Sequence, residues 1–148
     1  MTTKISTGLS GYLLATGSLR QAFASSFLRV YQGTEPATAD AALPGDATLL
    51  CEISVDGEGS GINLKATADG TYISKSPTET WRGEALVTGT PTYFRWVTGP
   101  DAGGASSVLP RIQGKVGLAG VELNFSSLNF VEGAIQKVDY FVVAMPSN

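Results

Sequence analysis

The spacing of hydrophobic positions changes near residue 26. Before it, Leu9, Tyr12 and Leu13 fall at i, i+3 and i+4, and so do Leu19, Ala22 and Phe23. That spacing lays apolar side chains along one helical face. Gly17 separates the two sets, and Ser18 is placed to N-cap the second. The pattern predicts helix over Ser6–Ala24, as one broken helix or two short ones. After residue 26 apolar and polar positions alternate, the period of a strand with one buried face. Strands are predicted over Phe27–Tyr31, Thr48–Val55, Glu79–Val87 and Thr92–Val97. In the last third, Ile112, Gly114 and Val116 alternate with Arg111, Gln113 and Lys115, and Val121, Leu123 and Phe125 alternate with Glu122, Asn124 and Ser126. Ile62, Leu64 and Ala66 alternate ahead of Asp69-Gly70, a hairpin signal leading into Thr71–Ser74. Ile135–Met145 ends apolar on both faces and predicts a strand covered on both sides, by the core or by a neighbouring subunit.

Glycine and proline mark the breaks between these runs. Gly33–Ala47, with Pro36, Pro44 and many small residues, predicts a surface loop or arm lacking core-forming side chains. Gly99–Ser107 predicts a flexible loop. Short strands separated by turn signals give an all-β fold, an antiparallel β-sandwich (jelly-roll-like) preceded by a short N-terminal helical segment. The 148 residues suit a single domain, with 1–25 helical and 26–148 forming the sandwich.

Composition narrows the function classes. Charged residues make up 16% of the chain, below the usual quarter, so much of the surface must be small and neutral. Such a surface packs readily against protein. The net charge is −3, and the ten basic residues are scattered among acidic ones, which argues against a phosphate-binding face and so against nucleic acid. Met1–Ser10 has no apolar stretch of a signal peptide, and no apolar run reaches membrane-spanning length, so synthesis in a cytoplasm and no membrane are expected. Cys51 is the only cysteine, set in an apolar run, and reads as a buried strand residue.

Candidate chemistry is sparse. There is no histidine, the commonest general base and transition-metal ligand. Asp56–Gly61 is a glycine-rich acidic turn, but no Lys-Ser/Thr follows it as in a phosphate loop, and its oxygen spacing does not match a calcium loop. The other acidic residues lie mostly in turns. No catalytic, cofactor-binding or metal-binding residues are assigned, and no cofactor or small-molecule substrate is expected. The aromatics offer more. Phe94 and Trp96 share one face of their strand and read as core; Tyr93, Arg95 and Val97 share the other, apolar enough for an interface. The N-terminal segment either closes one end of the sandwich or docks on a neighbouring subunit. The candidate interface residues are therefore Leu9, Tyr12, Leu13, Phe23, Tyr93 and Val97. A rival reading places Trp81 and Trp96 as sugar-stacking platforms, with Glu79 and Glu84 nearby, in a carbohydrate- or receptor-binding module.

Several stretches carry a family resemblance: Thr7–Leu9 to Ser18-Leu19, Phe27-Leu28-Arg29-Val30-Tyr31-Gln32-Gly33-Thr34-Glu35-Pro36-Ala37-Thr38-Ala39-Asp40-Ala41-Ala42, Thr48–Leu50, Glu79–Trp81, Thr92–Arg95, and Arg111–Gly114 through Gly120–Asn124. In these the chain resembles small structural proteins encoded among the virion genes of tailed bacteriophages. The resemblance implies a particle component without catalysis, made in the bacterial host cytoplasm and resident in the virion. A capsid decoration or cement protein, homo-oligomeric and bound to the major capsid protein or other virion proteins, is the expected role. A tail or head–tail connector component is the alternative.

Overall fold

The computed structural model describes residues 3–145; the first two and last three residues of the expected single domain lie outside them. The architecture is an all-β sandwich with a short N-terminal helical segment. Its centre is β2 (Ser26–Gln32), where Ser26, Leu28 and Val30 point into the core while Phe27 and Arg29 point to the opposite face. β2 pairs antiparallel with β3 (Thr48–Val55) on one side and β6 (Tyr93–Thr98) on the other. β6 continues to β7 (Arg111–Gly117), which also takes β1 (Lys4–Ile5) antiparallel and β8 (Leu123–Asn124) parallel. β3 changes partner along its length: through Ile53 it faces β2, and Ser54–Val55 pair with β5 (Trp81–Glu84), which pairs with β9 (Ile135–Val138). The strand order is β1-β7-β6-β2-β3-β5-β9. A second, two-stranded sheet joins β4 (Tyr72–Ser74) to β10 (Val142–Ala144). The turn into β4 comes at Asp69-Gly70 as expected, with Gly70 at φ +68°, a region that favours glycine.

The helical segment divides where the sequence predicts. α1 (Thr7–Ala15) is capped by Ser6, whose hydroxyl accepts from Leu9 N–H at 3.1 Å. α2 (Leu19–Ala22) is capped by Ser18 in a reciprocal capping box with Gln21. Leu9, Ala22 and Phe23 enter the core on the Phe94/Trp96 face of the sheet, and Phe23 stacks on Trp96 with ring centroids 3.9 Å apart. Phe141 sits between three aromatic rings, 5.4 Å from Trp96, 5.8 Å from Trp81 and 6.2 Å from Phe94. Each such pair adds about 0.5–1.5 kcal/mol beyond the area it buries.

Two expectations are corrected. Ile135–Met145 is not one doubly covered strand. β9 and β10 belong to different sheets, and the chain turns between them so that Tyr140 faces out and Phe141 faces in. Gly33–Ala47 is not a free arm. It lies across the second face of the large sheet with Pro36 and Ala39 buried, so that β6 is covered on both sides.

Candidate functional site

The strand registers place five polar side chains in one row across the second face of the sheet. Glu52 on β3 stands opposite Arg29 on β2, Arg29 opposite Arg95 on β6, Arg95 opposite Gln113 on β7, and Gln113 opposite Lys4 on β1. Two of these neighbouring pairs are bonded: Arg29 Nε lies 2.8 Å from Glu52 Oε2, and Arg95 Nε donates to Gln113 Oε1 at 2.8 Å. The adjoining rows hold Tyr31 stacked on Tyr93 at 5.2 Å, and Val97 paired with Arg111. Arg95, Arg111 and Gln113 are each at most 1% exposed.

Two loops satisfy this buried polar layer with backbone carbonyls. In the first, Pro36 O accepts from Gln113 and Lys4, Ala41 O from Arg95, and Ala39 O from Arg111. Glu35 at its start bonds Lys4 at 2.7 Å, Gln113 at 3.1 Å and Lys115 at 3.1 Å. The second loop, Gly99–Pro110, supplies Asp101, whose two carboxylate oxygens take Arg111 Nε at 2.6 Å and Nη2 at 2.9 Å, and Gly104 O accepts from the same guanidinium. The loops also bind each other, Leu43 N–H to Gly103 O at 2.9 Å and Ser106 N–H to Asp40 O at 2.9 Å. Asp40 further accepts from Thr7 N–H at the start of α1. The result is a clasp that locks both loops and the N-terminal segment onto the sheet.

The clasp sets protonation states. Burial raises the Asp101 pKa, but hydrogen bonds from Arg111 and Gly103 N–H outweigh it and hold the carboxyl below its ordinary value. Glu35 behaves alike: desolvation raises it, and bonds from Lys4, Gln113 and Lys115 bring it down. Burial, then the neighbouring Tyr31, pushes the Tyr93 phenol up to about 12. On the core side of the sheet, burial and Glu52 push the Cys51 thiol up to about 12, so at neutral pH it packs as a protonated, unreactive group.

The predicted site residues fall mostly inside the chain. Leu9, Phe23, Tyr93 and Val97 are at most 2% exposed. This corrects their assignment to an outer docking face: Leu9 and Phe23 fill the core, and Tyr93 and Val97 lie beneath the loops. Tyr12 and Leu13 are half-buried against the core. Trp81 and Trp96 are fully buried and have no face open to a sugar. Trp81 Nε1 donates to Glu79 Oε1 at 2.9 Å and Trp96 Nε1 to Ser26 Oγ at 2.7 Å. Among the described residues no group of three or more His, Cys, Asp or Glu is placed to hold a metal, and no helix is long and apolar enough to cross a membrane.

What remains open is apolar. A groove of about 410 Å³ runs between the helical segment, the β1 end of the sheet and β10, lined by Ile5, Leu13, Leu19, Ile112, Val142 and Val143 among others. Leu14, Val108 and Tyr140 are each more than three-quarters exposed, on α1 and on loops. Sequence reasoning missed the clasp because several of its acceptors are main-chain carbonyls, which leave no residue signature. The available signal was Arg95 and Arg111 in strands whose neighbours read as buried. The chain matches no protein-family model, no curated protein and no solved structure.

Proposed function

We propose that the chain is a non-enzymatic structural component of a tailed-phage particle, binding the assembled capsid shell as a decoration or cement protein. The observation that carries this reading joins sequence to structure. The stretches resembling phage virion proteins are far apart along the chain, yet Phe27–Ala42, Thr92–Arg95 and Arg111–Gly114 meet at the clasp. Three of the resembling stretches thus form one built unit, the loop and the polar layer it covers. The surface supports the same reading. Large apolar side chains stand out on α1 and on loops, and an apolar groove with the half-exposed Ile5 and Met145 in its lining opens at the surface, features suited to protein contacts. In this role the chain docks as a homo-oligomer on the major capsid protein, and repetition over the lattice makes weak contacts firm.

Quantitative mass spectrometry of purified particles, of the phage that encodes the chain, tests this. A copy number comparable to that of the major capsid protein is expected. A single ring's worth of copies would place the chain in the tail or connector instead, and its absence from the particle would overturn the virion reading.

A further inference from the structure

The core face of the large sheet is left open at its β1 end. Ile5 pairs with the buried Ile112 and shares its face, yet it is 51% exposed. The apolar groove lies over this opening. Phe94, Ile112 and Phe141 reach it from the core, and Leu13 and Leu19 line it from the helical segment. Its remaining wall is β10. No β4 residue lines the groove, so it lies on the side of β10 away from β4. On the β4 side, Phe141 O accepts from Lys75 N–H at 2.9 Å and Met145 N–H donates to Thr71 O at 2.8 Å. Backbone groups alternate in direction along an antiparallel ladder, so Val142 and Ala144 turn theirs away from β4, toward the groove. No turn or loop hydrogen bond among the described residues takes them up. Free edges are commonly guarded by a charge, a proline or a bulge. β9, the outer strand of the large sheet, carries Lys137, whereas β10 is Val142-Val143-Ala144 and carries no such guard.

We propose that the groove takes an extended segment of a partner protein, added as a third strand to the open edge of β10. Unpaired N–H and C=O groups call for a strand, because a helix has already bonded its own backbone. β10 offers three residues of pairing, about 10 Å of strand. The apolar floor calls for apolar side chains at alternate positions of that segment. Glu122 is the one charged side chain in the lining, its Oε2 held by Lys115 N–H at 3.0 Å, and it calls for a lysine or arginine beside the apolar run. The helical segment bounds the groove across from β10, so the strand enters as a free arm and not as the edge of a second folded copy. The proposal stands on the groove and holds whether or not the partner belongs to a capsid.

Selection from a random-peptide library on the full chain tests the site. Enriched peptides are expected to alternate apolar and polar residues and to carry a lysine or arginine next to the apolar run. A synthetic copy of the leading peptide should slow hydrogen exchange at the Val142 and Ala144 amides. Ala144→Pro removes one outward N–H and leaves the bonds to β4 in place, since proline is tolerated where the N–H points off the edge. It should weaken that peptide about tenfold. Glu122→Gln should remove the preference for a basic residue; if the proline variant does not fold, this variant and the exchange rates still decide. No enrichment, apolar residues enriched at helical spacing, amide exchange at Val142 and Ala144 unchanged by the peptide, or equal affinity for Ala144→Pro would each overturn the proposal. A dimer that dissociates in Ala144→Pro would overturn it too, by assigning the edge to a second copy. The copy number per particle is read separately, so the virion reading and this one can fail independently.

Discussion

Asp101 is the one carboxylate among the fully buried polar residues described, and both its oxygens are committed to Arg111. Its pKa is depressed in the folded chain, so it adds stability that is fully present above the unfolded value of about 3.9 and is lost as pH falls through the folded value. Urea unfolding should therefore show an acid limb that steepens below about pH 4. Glu35, shifted the same way, adds to that limb from the rim of the clasp. Asp101→Asn should flatten the limb and remove about 3–5 kcal/mol at neutral pH, because it leaves Arg111 charged and unpaired in the interior. A variant with unchanged stability at pH 7 would mean that the carbonyls of Ala39 and Gly104 suffice to hold Arg111.

At the scale of elements, α1 shows how tightly the N-terminal segment is fitted. Gly8 lies against the backbone of Val108 and Leu109, so a Cβ there would collide with it, whereas a Cβ at Gly11 meets nothing within 4 Å. Both are helical. Gly11→Ala should gain up to about 1 kcal/mol from helix propensity, and Gly8→Ala should lose more than that gain as α1 is pushed off the loop. Thermal midpoints of the two variants should move in opposite directions. The helix itself was legible in the sequence, since its apolar spacing, the break at Gly17 and the Ser18 cap all have local causes. So were β2, β3, β6 and β7, whose alternation matches one face in the core. The division of Ile135–Met145 was not legible, because an apolar run does not say where a chain leaves one sheet for another. Nor was the burial of Tyr93 and Val97, whose cover is a proline- and alanine-rich loop held through its main chain.

For the whole molecule, the large sheet is packed on two sides in different ways. One side carries an aromatic core closed by α1, α2 and the β4–β10 pair; the other carries a polar layer closed by loops. The N-terminal segment takes part in both, through Phe23 on Trp96 and through Lys4 on Glu35. Deleting residues 1–24 should therefore disturb the entire structure and not merely shorten it. The truncated chain is expected to lose cooperative unfolding and to show red-shifted tryptophan emission, read from Trp81 and Trp96, the only two tryptophans. Emission that stays blue would mean that the sandwich closes without its helical segment.

The pairing of β1 with β7 also bears on the order of events during synthesis. Lys4 and Ile5 lie against Gln113 and Ile112, and Ser6 bonds the backbone of Arg111. The sheet partners of Lys4 and Ile5 are thus made only after more than a hundred further residues have followed them. Contacts so distant along a chain close late and slowly. Until then the apolar side of the helical segment stays uncovered, and the growing chain has to be protected from its neighbours on the same message.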